Sequence, residues 1–444
     1  MGESEDFAFR FMSRFRCIGP ACEQHCCGGW RIDVDEKHAA MLRVAAGNDG
    51  SDRARIRAAL VNRRRDAPGK KRSPPGPPPQ MLKVDGDGNC VLLEPDGRCH
   101  IHATLGPALL PDVCTAYPRR VVQIDKRKEL TGSISCPEVA RQVLLHEDAF
   151  EQVPLEREMV PRRMVTYRVD SHDIRPSLRL MPEIRAFARR RLSDTSRPFA
   201  HRLFALSLFA HRTQALVATA LPKGDFDRVR EEFVRLEEPS VLDELGRRFD
   251  AIQTPAMPVL LVARELVRHD VLGGRHPAFR RLVAAVFDTY ANLDLSERQG
   301  TTADQAMSAA IQAEYSSRRA RATALAGARI ERRLQNFIFH AWVHHLPTNS
   351  PDLMVFTLRL WLHLACVRFL FFGHPRLHAY LQAHAVDGAQ DVEAFELICD
   401  EVIVEVVRTT ARYIDHTSLI STLEKMLAER QMQNLAGAVH LIKF

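Results

Sequence analysis

Eight of the ten cysteines in this chain crowd into its first 136 residues: Cys17, Cys22, Cys26, Cys27, Cys90, Cys99, Cys114 and Cys136. Clustered thiols serve metal or redox chemistry in a reducing compartment and form a disulfide framework in an oxidising one. The N-terminus reads Met1-Gly2-Glu3-Ser4-Glu5-Asp6, acidic and without the basic-then-apolar profile of a secretory signal. The most apolar run, Leu353 to Phe372, carries Arg359, His363 and Arg368, so no membrane span is expected. These features predict a cytoplasmic chain whose thiols hold a metal.

The first group is Cys17, Cys22, Cys26 and Cys27, within one short loop whose Gly19, Pro20, Gly28 and Gly29 supply tight turns. Adjacent Cys26 and Cys27 point to opposite sides of an extended backbone, so they serve two sites, or one ligates while the other packs. The second group is Cys90, Cys99, Cys114 and Cys136. Thiolates are soft ligands that suit zinc or iron–sulfur clusters, and the spacing fits one site built from both groups or two separate sites. His25, His100 and His102 stand in the same segments as substitutes for a sulfur. Cys366 and Cys399 stand alone in helical patterns.

The fold class that follows is mainly α. A small cysteine-rich α+β domain with short strands over 1–148 precedes an all-α helical bundle over 149–444. A charged helix is expected from about Asp35 to Arg65. The stretch 66–80 has six prolines in 15 residues and reads as a linker or insertion. Basic residues flank it (Arg63-Arg64-Arg65 and Lys70-Lys71-Arg72), but no aromatics interleave for base stacking, so a solvated linker is favoured over a nucleic-acid patch. The net charge of +7 over 444 residues selects no partner. Turns at Asp85-Gly86-Asp87-Gly88 and Pro95-Asp96-Gly97 bracket a strand over Asn89 to Glu94. Asp85, Asp87 and Asn89 have calcium-loop spacing, but Cys90 stands where such a loop needs glycine. A short helix from Pro111 carries Cys114 and ends at Tyr117-Pro118, two strands fill 120–135, and a helix opens at Ser135-Cys136-Pro137-Glu138. In the C-terminal domain Ser350 and Pro351 are expected to start the apolar helix over Leu353–Phe372, with Gly373 stopping it. His340 and His344, with His345, His363, His374 and His378 nearby, have a usable metal spacing, although helix-surface histidines are the simpler reading.

Cys17-Ile-Gly-Pro-Ala-Cys22-Glu-Gln-His-Cys26-Cys27-Gly-Gly-Trp30, Gly97-Arg-Cys99-His-Ile101, Cys114-x-x-Tyr117-Pro118-Arg119 and Ser135-Cys136-Pro137-Glu138 together resemble the flagellin lysine-N-methylase family. They are also similar to the wider zinc- or iron-chelating cysteine-cluster domains. A weaker echo falls at Leu334-Gln-Asn336-Phe337 and Leu346-Pro347, with Phe337 where the family has tyrosine. The resemblance implies an enzyme that moves methyl groups from S-adenosylmethionine to lysines of flagellin, with an iron–sulfur cluster (alternatively zinc) at the cysteines. The competing reading is a non-enzymatic metal-binding interaction module.

Methyl transfer to lysine needs a neutral amine, hence a base or a desolvating site. Tyr117 and Glu138 adjoin cysteines and are candidate bases, and Arg119 with Arg120 are candidates for the cofactor carboxylate or for balancing thiolate charge. The alternatives are a packed tyrosine, a helix-dipole carboxylate and surface arginines. No glycine-rich strand-to-helix fingerprint is present, so an ordinary doubly wound methyltransferase domain is disfavoured. A cofactor site would lie between the cysteine domain and the helical domain.

Overall fold

The structure is a computed structural model that describes residues 6–28, 32–45, 50–62, 80–86, 88–162, 164–172, 176–219, 226–253, 262–263, 265–266, 277–290, 301–345, 352–384, 391–414 and 417–444. Residues 66–79 of the proline-rich stretch, both basic runs, Asp87, Gly29, Trp30, Leu346-Pro347, Ser350 and Pro351 lie outside them.

Phe7-Ala8-Phe9 forms β1, buried at all three positions. A strand apolar on both faces belongs inside a sheet, and β1 lies between β6 (Arg127–Gly132), parallel to it, and β7 (Gln152–Pro154), antiparallel. β5 (Arg119–Ile124) pairs antiparallel with β6 and parallel with β8 (Tyr167–Val169), giving the order β7-β1-β6-β5-β8. The sheet therefore takes in two strands beyond residue 148. A second sheet, β2-β4-β3, is antiparallel and built from Ile32–Val34 (β2), Leu60–Asn62 (β3) and Gln80–Leu82 (β4).

These two sheets have separate cores. Ile32, Val34, Leu42, Ile56, Leu82, Cys90 and Ile101 belong to a small core, with Cys27, Cys99 and Cys114 packed against it. The five-stranded sheet shares its core with the helices: Phe9, Phe11, Leu130, Cys136 and Val143 are continuous with Phe337, Trp361 and Phe369.

The Pro137–Leu144 helix joins the cysteines to the helical domain. Pro137 takes the first helical position after Cys136, and Val139, Ala140, Val143 and Leu144 recur on one buried face. Its C-terminal carbonyls meet buried Asn336, whose Nδ2 donates to Val143 O (3.0 Å), Leu144 O (3.3 Å) and His146 O (3.0 Å). Asn336→Ala leaves these carbonyls without that donor. We expect a loss of about 1–3 kcal/mol, measured as a lower urea midpoint with an unchanged slope.

Leu353–Phe372 is the central helix, buried along nearly its whole length. By length and composition it passes as a membrane span, yet 89% of its apolar window is buried inside the protein. Its polar residues all have partners or lie within the core. Trp361 Nε1 donates to Ser207 Oγ at 2.8 Å, Arg368 donates to Ile442 O at 2.8 Å, and Arg359 pairs with Glu424 at 2.7 Å.

Three local expectations are corrected. The charged segment from Asp35 is two helices, Glu36–Ala45 and Gly50–Ala59, followed by β3. The charge pattern hid a strand that the small sheet needs. Asn89–Glu94 is no strand; Asn89, Cys90 and Leu93 make isolated bridges with Gly28, Val84 and Cys99, because each bridge stitches a cysteine segment to a different neighbour. The central helix starts at Leu353 and is capped by Asp352, whose carboxylate accepts from Met354 N and Val355 N.

Candidate metal centre

The fold regroups the cysteines. Cys26 and Cys27, adjacent in sequence, lie in one thiol set, and Cys136 leaves its sequence neighbours for the other.

The first set surrounds the small core. Cys90 N donates to Cys27 O at 2.6 Å, which seats the double cysteine on the bridge segment. The Cys27 thiol lies within hydrogen-bond reach of both Cys26 and Cys99, and its single S–H donates to one or the other. Receiving that bond lowers Cys26 to about 7 and Cys99 to about 6, the latter helped by the backbone N–H groups of Ile101 and His102. Cys27 itself is raised, as the shared donor. Burial raises Cys90 to about 11 and pushes Cys114 well up, with Cys99 and Cys26 adding to it. Binding a metal to such a set releases the thiol protons.

The second set is Cys17, Cys22 and Cys136. Burial raises Cys136 to about 12, and nearby Cys22 and Cys17 push in the same direction. Cys22 Sγ bonds to Gln24 O at 3.2 Å, and the left-handed Gly19 (φ 55°) opens the 3-10 turn that presents it.

The helical domain grips the loop between the sets. On the Val392–Ile414 helix, Arg408 donates to Gln24 Oε1 at 2.7 Å, and Arg412 donates to His25 O at 3.1 Å and to Gly28 O. Arg141 pairs with Glu23. Arg408 and Arg141 also lie close enough to Cys22 to feel its charge, and Arg412 favours the Cys26 thiolate. Sequence reasoning missed these arginines. Their only signal is the four-residue spacing of Arg408 and Arg412 on one helix face.

The predicted bases and arginine have structural partners. Tyr117 is raised by burial, and its hydroxyl meets Ser135 Oγ at 3.2 Å. Glu138 accepts from Gln142 (2.8 Å) and Arg141 (3.1 Å) in the first turn of its helix. Arg119 donates to Met159 O at 2.8 Å and stands 5.2 Å over the Phe15 ring, with Cys17 and Cys136 nearby. Arg120 stands 5.7 Å over Tyr167. Of the substitute ligands, His100 Nδ1 faces Glu94 at 2.7 Å, whereas His25 Nδ1, in the cysteine loop, is buried with no hydrogen-bond partner among the described residues. Among the described residues, the group whose ligand atoms all lie within 4.8 Å of one another is Asp35, His38 and Asp112, not a set of cysteines. Arg162 already fills it, 2.6 Å from Asp112 and 3.0 Å from His38 Nε2.

Of the six histidines singled out in the helical domain, His340, His344, His363 and His374 are buried, contrary to the simpler expectation, whereas His345 and His378 are half-buried. His340, His344 and His363 are buried, and with His345 they line a cavity of about 20 Å3. The apolar side chains of that stretch face the same core and draw the imidazoles in. Burial lowers His340 to about 4 and His363 to about 3. Each is neutral in the fold and takes up a proton on unfolding below its ordinary value of about 6.5. The unfolded chain then binds more protons, so stability is unaffected above pH 6.5 and falls as the pH drops from 6.5 towards 4. For His340 alone the loss at pH 4 is on the order of 3 kcal/mol. Urea midpoints at pH 7 and 4.5 should show this drop, and His363→Leu should reduce it.

A cavity of about 530 Å3 opens between the Glu23–Gly28 loop and the Pro277–Asp288 and Val392–Ile414 helices, with Arg281, Glu405, Arg408 and Arg412 on its wall. It stands where the cysteine region meets the helical domain.

Residues 185–441 match the family described as FliB lysine N-methylase C-terminal domain. The chain is 30% identical over 141 residues to the lysine-N-methylase of Salmonella typhimurium, covering 31% of this chain and 32% of that protein. It is 28% identical over 158 residues to the flagellar biosynthetic protein FliU of Salmonella muenchen, 34% of this chain and 86% of that protein. To the lysine-N-methylase of Salmonella choleraesuis it is 29% identical over 141 residues. The matched region thus spans about a third of the length of the two lysine-N-methylases. No solved structure matches the chain.

Proposed function

The chain belongs to the FliB lysine N-methylase family, and from that premise we propose that it is a protein-lysine N-methyltransferase that uses S-adenosylmethionine, acts on flagellin and carries an iron–sulfur cluster on its cysteines. The observation that carries this reading is the grip of Arg408 and Arg412, which lie within the matched domain, on the loop bearing Cys22, Cys26 and Cys27. It ties the family's domain to the thiols. The donor set suits the cluster: the sulfurs are soft, the Cys26 and Cys99 thiols are lowered, and Arg412 and Arg408 stand near Cys26 and Cys22 to balance the negative charge that thiolate-bound clusters carry. Cys17, Cys22 and Cys136 would form one ligand set and Cys26, Cys27, Cys90, Cys99 and Cys114 the other.

S-adenosylmethionine supplies an electrophilic methyl on a sulfonium. A C–N bond forms to the neutral lysine amine, the C–S pair returns to sulfur, and the proton lost from nitrogen leaves to solvent or a base. The chain's part is to hold the amine neutral and bring it to the methyl.

One observation favours a second reading. Four thiols, Cys27, Cys90, Cys99 and Cys114, sit in or against a separate small core, the arrangement of a structural zinc site. Mass spectrometry of flagellin co-expressed with this chain tests the main proposal. Methylated lysines are expected with the natural chain and none with Cys22→Ser. Unmodified lysines with the natural chain would refute the activity.

A further inference from the structure

We propose that the cavity of about 530 Å3 between the cysteine loop and the helical domain is the seat of the methyl donor, a nucleoside joined to a zwitterionic amino acid. This rests on the methyltransferase reading above. The volume lies within the range of small-molecule sites, roughly 300–1,000 Å3. One wall is the loop that carries Cys22 and Cys26, so a ligand seated there lies against the thiols.

The wall carries both signs of charge. Arg281, Arg408 and Arg412 stand with Glu23 and Glu405. A ligand of one sign would meet repulsion on one side, whereas an amino acid with free ammonium and carboxylate matches both. Glu405 is the best-defined of these groups. His374 lies 3.6 Å from its Oε2, and that contact holds the carboxylate below its usual range, hence charged and oriented. A fixed carboxylate accepts from a ribose diol or an ammonium. The floor is apolar: Phe279 and Tyr413 stack there at 3.8 Å, buried, next to Leu282 and Ala285. A flat base has an apolar surface to lie on and the sugar and amino acid have charged partners at the wall.

Equilibrium dialysis of S-adenosylhomocysteine against the full chain, purified anaerobically, tests this. The natural chain is expected to bind. Ala285→Trp, which fills the floor, and Glu405→Gln, which keeps the size and removes the charge, should each weaken binding at least tenfold with metal content and unfolding temperature unchanged. Adenosine and methionine, each added alone, should compete weakly. If the natural chain binds and both variants bind as well as it does, the donor sits elsewhere and the methyltransferase reading survives. If the natural chain binds no S-adenosylhomocysteine and no S-adenosylmethionine, that reading fails and this one fails with it.

Discussion

Serine in place of Cys99 is expected to strip the metal from the small-core thiols and to abolish methylation. Cys99 accepts the hydrogen bond from Cys27 and those of two backbone amides, so it is the best-prepared thiolate of its set. Groups that only orient a metal ligand change affinity by about 10–100-fold when removed, so a direct sulfur ligand should change it by at least that. Metal content per chain and product formation both read the result. Cys366→Ser, buried in the central helix and far from the cluster in the chain, should change neither. Cys136→Ser tests the grouping itself: it belongs to the other set and should leave the small-core portion of the metal in place. Total loss from Cys136→Ser as from Cys99→Ser would mean one shared centre.

Asp400→Ala is expected to be the most destabilising substitution outside the cysteine region. Asp400 sits between the Thr301–His344 and Val392–Ile414 helices. It accepts from Arg333 Nε (2.8 Å) and Nη2 (3.0 Å) and from Arg329 Nη2 (2.7 Å). Burial raises its pKa, but the hydrogen bonds from the two arginines outweigh it and hold the carboxylate ionised. Arg333 and Asp400 are each only 8% exposed. Removing one partner of a buried pair costs about 3–5 kcal/mol, because the other charge stays buried without it. An unfolding entropy of about 2 cal/mol/K per residue converts this to roughly 3–5 °C for a chain of 444 residues. The pair also gives an acid signature. The folded pKa lies below the unfolded one, so its contribution is present above about pH 4 and is lost as the pH falls through the folded value. Scanning calorimetry at pH 7 checks the first point, and the flatter acid limb of the variant checks the second.

The fold was legible in the sequence wherever local chemistry decides. Pro137 after Cys136, Tyr117-Pro118 at a helix end and the apolar run before Gly373 each set an element by backbone sterics or periodicity, and each element stands where it was expected. The cysteine grouping was not legible, because it depends on which core each segment joins. Cys136 follows Cys114 in the chain, yet its helix packs on the core of the helical domain while Cys114 packs on the small one. The arginine clamp was hidden for a related reason: Gln24 and Arg408 are 384 residues apart, and no periodicity records a contact at that distance. Buried His340 and His344 were misread as surface residues because polar side chains on a helix are assigned to its solvent face, whereas at the end of the Thr301–His344 helix Asn336, His340 and His344 all turn inward.

In the proposed enzyme, the thiols around the two cores and the arginine clamp would hold an iron–sulfur cluster. Iron, sulfide and zinc determined on the anaerobically purified chain test it most directly. Brown protein with iron and acid-labile sulfide in comparable amounts is expected, the small-core share of both being lost from Cys99→Ser together with methylation. Colourless protein with stoichiometric zinc and no sulfide would contradict it.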